Sequence, residues 1–339
     1  MLEEARSAPA VVATQFAQAE PVAALVRELV SPCLAVVLTV ARGSSDHAAA
    51  YFANLVMGRL GLPVASLPMS TVTLHDSVMK VGGQLAVAFS QSGRSPDLVE
   101  TMQALRRAGA ATLALVNVSG SPLAQACAYS LPLAGGEEHS VAATKSYIAM
   151  LSMSALLVAS LERHLLGRSE LFDVLGSLPS ALLQALEQDW SALGRALEDA
   201  EHMIVIGRGA GLGIAQEAAL KLKETSGIQA EAFSSAEVRH GPMEIIDKDF
   251  PLLVFAPRGP EQQGLLAFAS EMRARGARVL LAAPAGTPQL VLPIAPTGHA
   301  LLDPISVIQS FYPAAEQLAR LRGREPDAPR HLHKITQTR

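Results

Sequence analysis

Three charged residues in the second half of the chain have the types and spacing needed for proton transfer. Glu217, Lys221 and Glu224 follow a glycine-rich turn at positions i, i+4 and i+7, so a helix would place them on one stripe. A carboxylate that moves a proton next to a carbonyl works best with a cation nearby. A solvated ladder of ion pairs has the same spacing, but a position just after a parallel strand favours the acid–base interpretation.

A serine-rich loop in the first half could bind an anion. After an apolar strand the chain reads Ser90-Gln91-Ser92-Gly93-Arg94-Ser95 and then Pro96, which predicts a helix with Ser95 at the N-cap and Pro96 at the first helical position. Hydroxyls and free backbone N–H groups at such a helix start can bind a phosphate group without a lysine. An ordinary turn remains the alternative. Upstream, Ser44 and Ser45 either add hydroxyls at the same rim or simply start a capped helix at Ser45.

The serine loop belongs to one copy of a repeated pattern. At an offset of 166 residues, a strand that runs into Arg42-Gly43 matches one that runs into Arg208-Gly209, and the strand before the serine loop matches one that ends at Phe255. The second copy continues as Ala256-Pro257-Arg258-Gly259, without a hydroxyl. We interpret this contrast as a duplication in which one copy kept a ligand loop.

Along the chain, the candidate residues lie in a pattern of continuous apolar strands that alternate with helices. This alternation predicts two doubly wound α/β domains, each with a parallel sheet covered on both faces. We expect a helical segment over 1–30, a first domain with the phosphate loop over 31–165, a linker over 166–185, a second domain with the acid–base residues over 186–322, and a tail over 323–339.

Composition narrows the ligand to a small molecule. The 339 residues are 50% hydrophobic and 4% aromatic with a net charge of −4, which suits neither nucleic-acid binding nor disorder. Two cysteines without a neighbouring His/Cys cluster predict no metal site and a reduced, cytoplasmic location. The start of the chain is acidic, unlike a signal peptide. Residues 148–161 form an apolar run too short to span a membrane, so we expect a buried helix there.

Six motifs, in order, resemble those of the tandem sugar-isomerase (SIS) family. Within that family the chain is similar to the isomerase half of glutamine–fructose-6-phosphate aminotransferase and to the type II glucosamine-6-phosphate deaminases. The motifs lie at 41–47, 90–95, 142–147, 217–224, 237–242 and 330–334.

The resemblance implies a role for each candidate residue. Sugar phosphate would be bound by Ser90, Gln91, Ser92 and Ser95, and the sugar itself would be surrounded by Ser44, Ser45 and Val141. Glu224 would move a proton between C1 and C2, with electrostatic support from Lys221 and Glu217. His240 would open the sugar ring from a neighbouring subunit, which implies a homodimer, and Lys334 would close over the substrate. No metal or organic cofactor is implied.

Departures from the family pattern bear on the substrate. The sequence shows neither a glutamine amidotransferase domain nor an N-terminal cysteine, so we expect that glutamine is not its ammonia source. Arg42, Arg94 and His333 depart from the synthase's motifs and imply a different sugar or reaction direction.

The resulting hypothesis is a deaminase that forms fructose 6-phosphate and ammonia from an amino sugar 6-phosphate. The sequence does not distinguish glucosamine from galactosamine. The alternatives are an aldose–ketose isomerase, a deglycase and a sugar-phosphate sensor. The hypothesis requires the serine loop and Glu224 to act on one hexose.

Overall fold

A computed structural model describes residues 1–332 and residue 334. His333 and the end of the predicted tail, 335–339, lie outside the described residues. By packing, the described chain divides into two units. The serine-loop unit comprises Ala10–Glu138, Lys145–Gly176 and Lys334, and the acid–base unit comprises Met1–Pro9, His139–Thr144 and Ser177–Leu332. The domain boundaries drawn from the sequence stay predictions.

The serine-loop unit is built on a five-stranded sheet in which every pair is parallel. Its strands are β1 (Val37–Val40), β2 (Val64–Ser66), β3 (Leu85–Ser90), β4 (Ala111–Val116) and β5 (Tyr129–Pro132). They are ordered β2-β1-β3-β4-β5. Strands β1 and β3 are buried along their whole length, because helices cover both faces of such a sheet.

The acid–base unit repeats this sheet. Its strands are β6 (His202–Gly207), β7 (Gln229–Ser234), β8 (Pro251–Phe255), β9 (Arg278–Pro284) and β10 (Leu292–Ile294). They are also parallel and are ordered β10-β9-β8-β6-β7. Read from the other edge, this is the order of the first sheet. The predicted fold class, two doubly wound α/β copies, is therefore confirmed.

Thirteen α-helices are present in the described residues. They are α1 (Leu2–Phe16), α2 (Ala19–Leu29), α3 (Ser44–Leu60), α4 (Ser70–Thr73), α5 (Pro96–Arg107), α6 (Pro122–Ala126), α7 (Lys145–Leu166), α8 (Glu170–Val174), α9 (Leu178–Leu186), α10 (Ser191–Leu197), α11 (Ala210–Lys221), α12 (Gln262–Ala274) and α13 (Asp303–Leu321). The segment 166–185, predicted as a linker, contains α8, a 3₁₀ turn over Leu175–Ser177 and most of α9.

Helix α7 is the main core helix of the serine-loop unit. Its 22 residues are long and apolar enough to cross a membrane by length and composition, but 83% of its most apolar window is buried by packing within the protein. The predicted buried helix is therefore confirmed, although it extends beyond the 14 apolar residues that predicted it. The cytoplasmic location stays a prediction.

The duplication is visible in the backbone at the first turn of each copy. Gly43, before α3, has φ 56° and ψ −135°, and Gly209, before α11, has φ 55° and ψ −132°. Residues with a Cβ rarely adopt this left-handed φ. The same turn after the same strand supports the interpretation of two copies of one unit.

Candidate functional site

The serine loop lines a cavity of about 280 Å³ at the carboxyl ends of β1 and β3. In this sheet order the chain runs from β1 in opposite directions to β2 and β3, and ligands bind where strand order reverses in this way. The cavity is lined by Arg42, Gly43, Ser45, Phe89, Ser90, Gln91, Ser92, Ser95, Leu98 and Lys334. The structure thus brings together all four predicted phosphate ligands with Ser45 and Lys334.

The conformation of the serine loop depends on Gly93. Its φ is +65°, and a Cβ at this position would lie 2.2 Å from the Oγ of Ser121. The Ser90 hydroxyl accepts a hydrogen bond from the Gly93 N–H at 2.9 Å, and the Ser92 hydroxyl accepts one from the Arg94 N–H at 3.3 Å. These two bonds close a tight turn immediately before α5.

Two predicted helix starts differ in detail from the structure. Ser95 occupies the N-cap of α5 and Pro96 begins the helix, as predicted, but the Ser95 side chain makes no capping hydrogen bond. Helix α3 begins at Ser44 with Gly43 as its N-cap, so the alternative of an N-cap at Ser45 is wrong. Ser45 instead lines the cavity, whereas Ser44 is not among the lining residues.

Two cations line the cavity, and a buried carboxylate holds each of them. Arg42 binds Asp97 through Nε and Nη2 at 3.2 and 3.0 Å. The Nζ of Lys334 lies 3.1 Å from an oxygen of Glu138, a carboxylate that also accepts hydrogen bonds from the backbone and side chain of Ser146. Neither Asp97 nor Glu138 was predicted, because 55 and 196 residues separate them from their partners and no local pattern joins them.

A third acidic group near the cavity, Asp46, lies in the first turn of α3. Burial raises the pKa of its carboxyl, while His47 and Arg42 act in the opposite direction. Arg42 therefore lies within the electrostatic range of two carboxylates.

The acid–base stripe forms a buried ion cluster in its own unit. Glu217 and Lys221 have 0% and 1% of their side chains exposed, and the Lys221 Nζ lies 3.5 Å from Glu217 Oε1. Lys221 also forms an ion pair with Glu224, whose side chain is 19% exposed. This burial contradicts the alternative of a solvated ladder of ion pairs. Tyr312 from α13 donates a hydrogen bond to Glu217 at 3.3 Å, a partner that the sequence analysis missed.

A π-helical turn over Leu222–Ser226 carries Glu224. Here the α-helix predicted by the spacing changes pitch, and the Thr225 hydroxyl donates to the Lys221 carbonyl at 2.8 Å. Such single π turns occur frequently at functional sites. The turn ends at Gly227, whose φ is +64°.

Glu224 is the member of the stripe that reaches open space. It lines a cavity of about 190 Å³ together with Thr225, Arg324, Arg330 and other residues of the 323–330 segment. A carboxylate that meets a buried lysine on one side and a cavity on the other is placed to exchange a proton with a ligand. Arg324 and Arg330 were not predicted to be near it.

His240 and Val141 both lie in the acid–base unit. His240 ends a 3₁₀ turn over Glu237–His240, and its side chain is exposed. The Val141 N–H donates to the Asp327 carbonyl at 3.1 Å. A contribution of His240 to a neighbouring subunit stays a prediction, as does a role for Val141 around the sugar.

In the second copy, the loop that matches the serine loop is closed by an ion pair. Arg258 binds Asp303 in a bidentate manner at 2.8 Å for both contacts and donates to the Thr297 carbonyl at 2.6 Å. Asp303 is fully buried, and hydrogen bonding to it raises the pKa of the Arg258 guanidinium. Arg258, which corresponds to Ser92, therefore makes its hydrogen bonds to other groups of the protein.

No group of three or more His, Cys, Asp or Glu side chains suited to a metal ion occurs within residues 1–332 and 334.

Comparison with known proteins places this architecture in a family. A family model described as the SIS domain matches residues 36–160 and 196–283, one match in each copy. The chain therefore belongs to the SIS domain family, and the resemblance drawn from the six motifs is confirmed.

Individual relatives agree with this assignment. The chain is 37% identical over 316 residues to a glutamine–fructose-6-phosphate aminotransferase (isomerizing) from Aeropyrum pernix, a match that covers 88% of this chain and 50% of the relative. The chain thus spans about half the length of the curated relatives it matches. A solved structure from Silicibacter pomeroyi, described as a candidate phosphosugar isomerase, is 38% identical with a TM-score of 0.89 and covers 96% of this chain and 98% of its own. A glucosamine-6-phosphate deaminase from Thermotoga maritima shares the fold, with a TM-score of 0.76 at 22% identity and 99% coverage of both chains.

Proposed function

We propose that this chain is a phosphosugar isomerase that also deaminates, converting an amino sugar 6-phosphate to fructose 6-phosphate and ammonia. Glucosamine 6-phosphate is the first candidate substrate. The observation that carries the proposal is the buried Lys221 between two glutamates, of which Glu224 is partly exposed and lines a cavity of about 190 Å³. The names of the relatives, which include fructose 6-phosphate and phosphosugar isomerase, support this substrate class.

Binding in this proposal begins at the serine loop. The hydroxyls of Ser90, Ser92 and Ser95, the Gln91 side chain and the start of α5 would bind the phosphate, and Lys334, which lines the same cavity, would close over the substrate. Ser44, Ser45 and Val141 would surround the sugar. No metal or organic cofactor takes part in the proposed chemistry.

Proton transfer follows ring opening, which we assign to His240. Glu224 takes the proton from C2 of the open aldose, and the electrons of that bond form a C1–C2 double bond. The π electrons of the C1 carbonyl move to O1, which takes up a proton from water, so the intermediate is an enaminol. Return of the proton to C1 gives a ketose imine. Water then adds to the C2–N double bond, and ammonia leaves to give the ketone of fructose 6-phosphate. Lys221 and Glu217 keep the charge and orientation of Glu224 suited to both transfers.

The test of this function is a substrate panel. The chain is incubated with glucosamine 6-phosphate, galactosamine 6-phosphate and glucose 6-phosphate, and both ammonium and ketose are measured. We expect equal amounts of ammonium and ketose from an amino sugar phosphate. Ketose from glucose 6-phosphate, with no ammonium from either amino sugar phosphate, would favour the aldose–ketose isomerase. Binding of every sugar phosphate without any product would favour the sensor.

Glu224→Gln identifies the proton-transfer group. The amide keeps the size of the side chain but cannot accept the C2 proton, so we expect turnover to fall by about 10²–10⁴-fold with substrate binding nearly unchanged. Glu231→Gln is the matched control, because Glu231 is an exposed glutamate of the same unit. Turnover by Glu224→Gln close to that of the control would refute the assigned role.

A further inference from the structure

Arg42 lines the serine cavity and has no part in the function proposed so far. Its guanidinium is held by Asp97 through two bonds to a single carboxylate oxygen. The two side chains differ sharply in exposure, with 58% for Arg42 and 1% for Asp97. A buried carboxylate therefore fixes the position of an exposed cation at the edge of the cavity.

Asp97 poses an electrostatic problem for an anion site. It lies in the first turn of α5, two residues after Ser95, and its other oxygen accepts a hydrogen bond from the Leu98 N–H at 2.8 Å. An unpaired carboxylate at this position would repel a phosphate at the same helix start. The bound Arg42 offsets that charge.

Arg42 also has donors that the ion pair does not use. Both bonds to Asp97 come from the edge formed by Nε and Nη2. The edge that includes Nη1 remains for a second oxyanion, and the flat guanidinium fork matches two phosphate oxygens.

The repeat provides an internal comparison. Arg208 stands in the second copy at the position of Arg42, 166 residues later, but Gln263 stands at the position of Asp97. That copy also lacks the serines. The arginine is thus common to both copies, whereas the aspartate that orients it occurs in the copy that carries the serine loop.

We infer that Arg42, oriented by Asp97, is a direct ligand of the substrate's phosphate group, adding a charged fork to the hydroxyls of the serine loop. This inference rests on the proposed function, since it takes the serine cavity to be the phosphate site. Asp97 is a positioning residue in this arrangement.

Inorganic phosphate is the probe that tests the inference. Its affinity is measured by isothermal titration calorimetry on the full chain and on Arg42→Ala, Arg42→Lys and Arg208→Ala. We expect binding about 10- to 100-fold weaker in Arg42→Ala, the range for one lost charge-assisted contact. Arg42→Lys should also bind more weakly, because an ammonium lacks the fork. Arg208 is the matched arginine of the other copy, and the phosphate affinity of Arg208→Ala should be within about twofold of that of the wild-type chain.

A double variant separates direct contact from charge compensation. If Arg42 acted only by cancelling Asp97, then Arg42→Ala combined with Asp97→Asn would regain full affinity. Direct contact predicts that the double variant stays weak. Circular dichroism and thermal unfolding of each variant establish that the fold is intact. Recovery of phosphate affinity in the double variant would overturn the inference.

Kinetics provide a second readout. The phosphate is remote from C1 and C2, so Arg42→Ala should raise KM for glucosamine 6-phosphate and leave kcat nearly unchanged. A chain that binds no phosphate at all would overturn both the inference and the proposed phosphate site. Weaker binding in Ser92→Ala with unchanged binding in Arg42→Ala would overturn the inference alone.

Discussion

At the scale of single residues, the acid–base cluster shows how burial and charge are balanced. Burying an ion is costly unless an opposite charge and hydrogen bonds compensate for the lost water. Lys221 is placed between Glu217 and Glu224, and Tyr312 contributes a hydrogen bond to Glu217. The partial exposure of Glu224 leaves one carboxylate accessible while the remainder of the cluster stabilises its position.

Replacing Lys221 with Met should destabilise the fold strongly. The change keeps the length of the side chain but removes the cation beside the fully buried carboxylate of Glu217. Breaking a buried pair in this way costs about 3–5 kcal/mol. Denaturant unfolding measures the loss, with Lys223→Met as the control, because Lys223 is exposed on the same turn and should change stability by less than about 0.5 kcal/mol. Equal stability of the two variants would show that the ion cluster is not needed for folding.

Sequence reasoning located the residues whose neighbours are close along the chain. The serine loop lies within a single loop, and the Glu–Lys–Glu stripe lies within about two turns of helix. Residue spacing alone was therefore enough to group these residues. It missed Tyr312, which contacts Glu217 across 95 residues of sequence, and Asp97, which orients Arg42. Such partners are set by how the elements pack, and one sequence carries no local signal for them.

At the scale of elements, the turn that follows α11 determines where Glu224 lies. Spacing predicted an uninterrupted α-helix, but the turn over Leu222–Ser226 is π-helical. The Thr225 hydroxyl bonded to the Lys221 carbonyl and the left-handed Gly227 accompany this change of pitch. Helix existence follows from periodicity, whereas a local change of pitch depends on tertiary contacts that periodicity does not encode.

Two glycines at helix ends permit a matched experiment on this turn. Gly61 and Gly227 have nearly the same φ, +66° and +64°, but a Cβ would meet open space at Gly61 and the Arg324 guanidinium, at 2.2 Å, at Gly227. We expect alanine to cost about 1–2 kcal/mol at either position because of the left-handed backbone. In addition, Gly227→Ala should reduce turnover, since Arg324 would have to move within the cavity that Glu224 also lines.

Thermal unfolding and steady-state kinetics of both variants check this expectation. Similar losses of stability with reduced turnover only in Gly227→Ala would support a role for the Arg324 position. Equal turnover of Gly61→Ala and Gly227→Ala would contradict it.

At the scale of the whole molecule, the proposed homodimer can be tested by complementation. His240→Ala and Glu224→Gln each inactivate a site in our proposal. If His240 serves the neighbouring subunit, a mixed dimer contains one site with both residues intact. Coexpression of the two variants in equal amounts should then restore about a quarter of the wild-type activity. Half of the dimers are mixed, and each mixed dimer has one complete site out of two.

Differently tagged subunits allow the mixed dimers to be purified and assayed. The parent variants, assayed alone, provide the background. Activity of mixed dimers no greater than this background would mean that each chain uses its own histidine.

The two sheets with identical strand order have diverged where ligands bind. One copy ends in a cavity bordered by hydroxyls, whereas in the other Arg258 and Asp303 satisfy each other at the corresponding loop. Twofold repetition of the frame therefore does not imply twofold occupancy. At saturating phosphate, each polypeptide should bind one phosphate ion. A stoichiometry of two would mean that phosphate displaces Asp303 from Arg258 in the second copy.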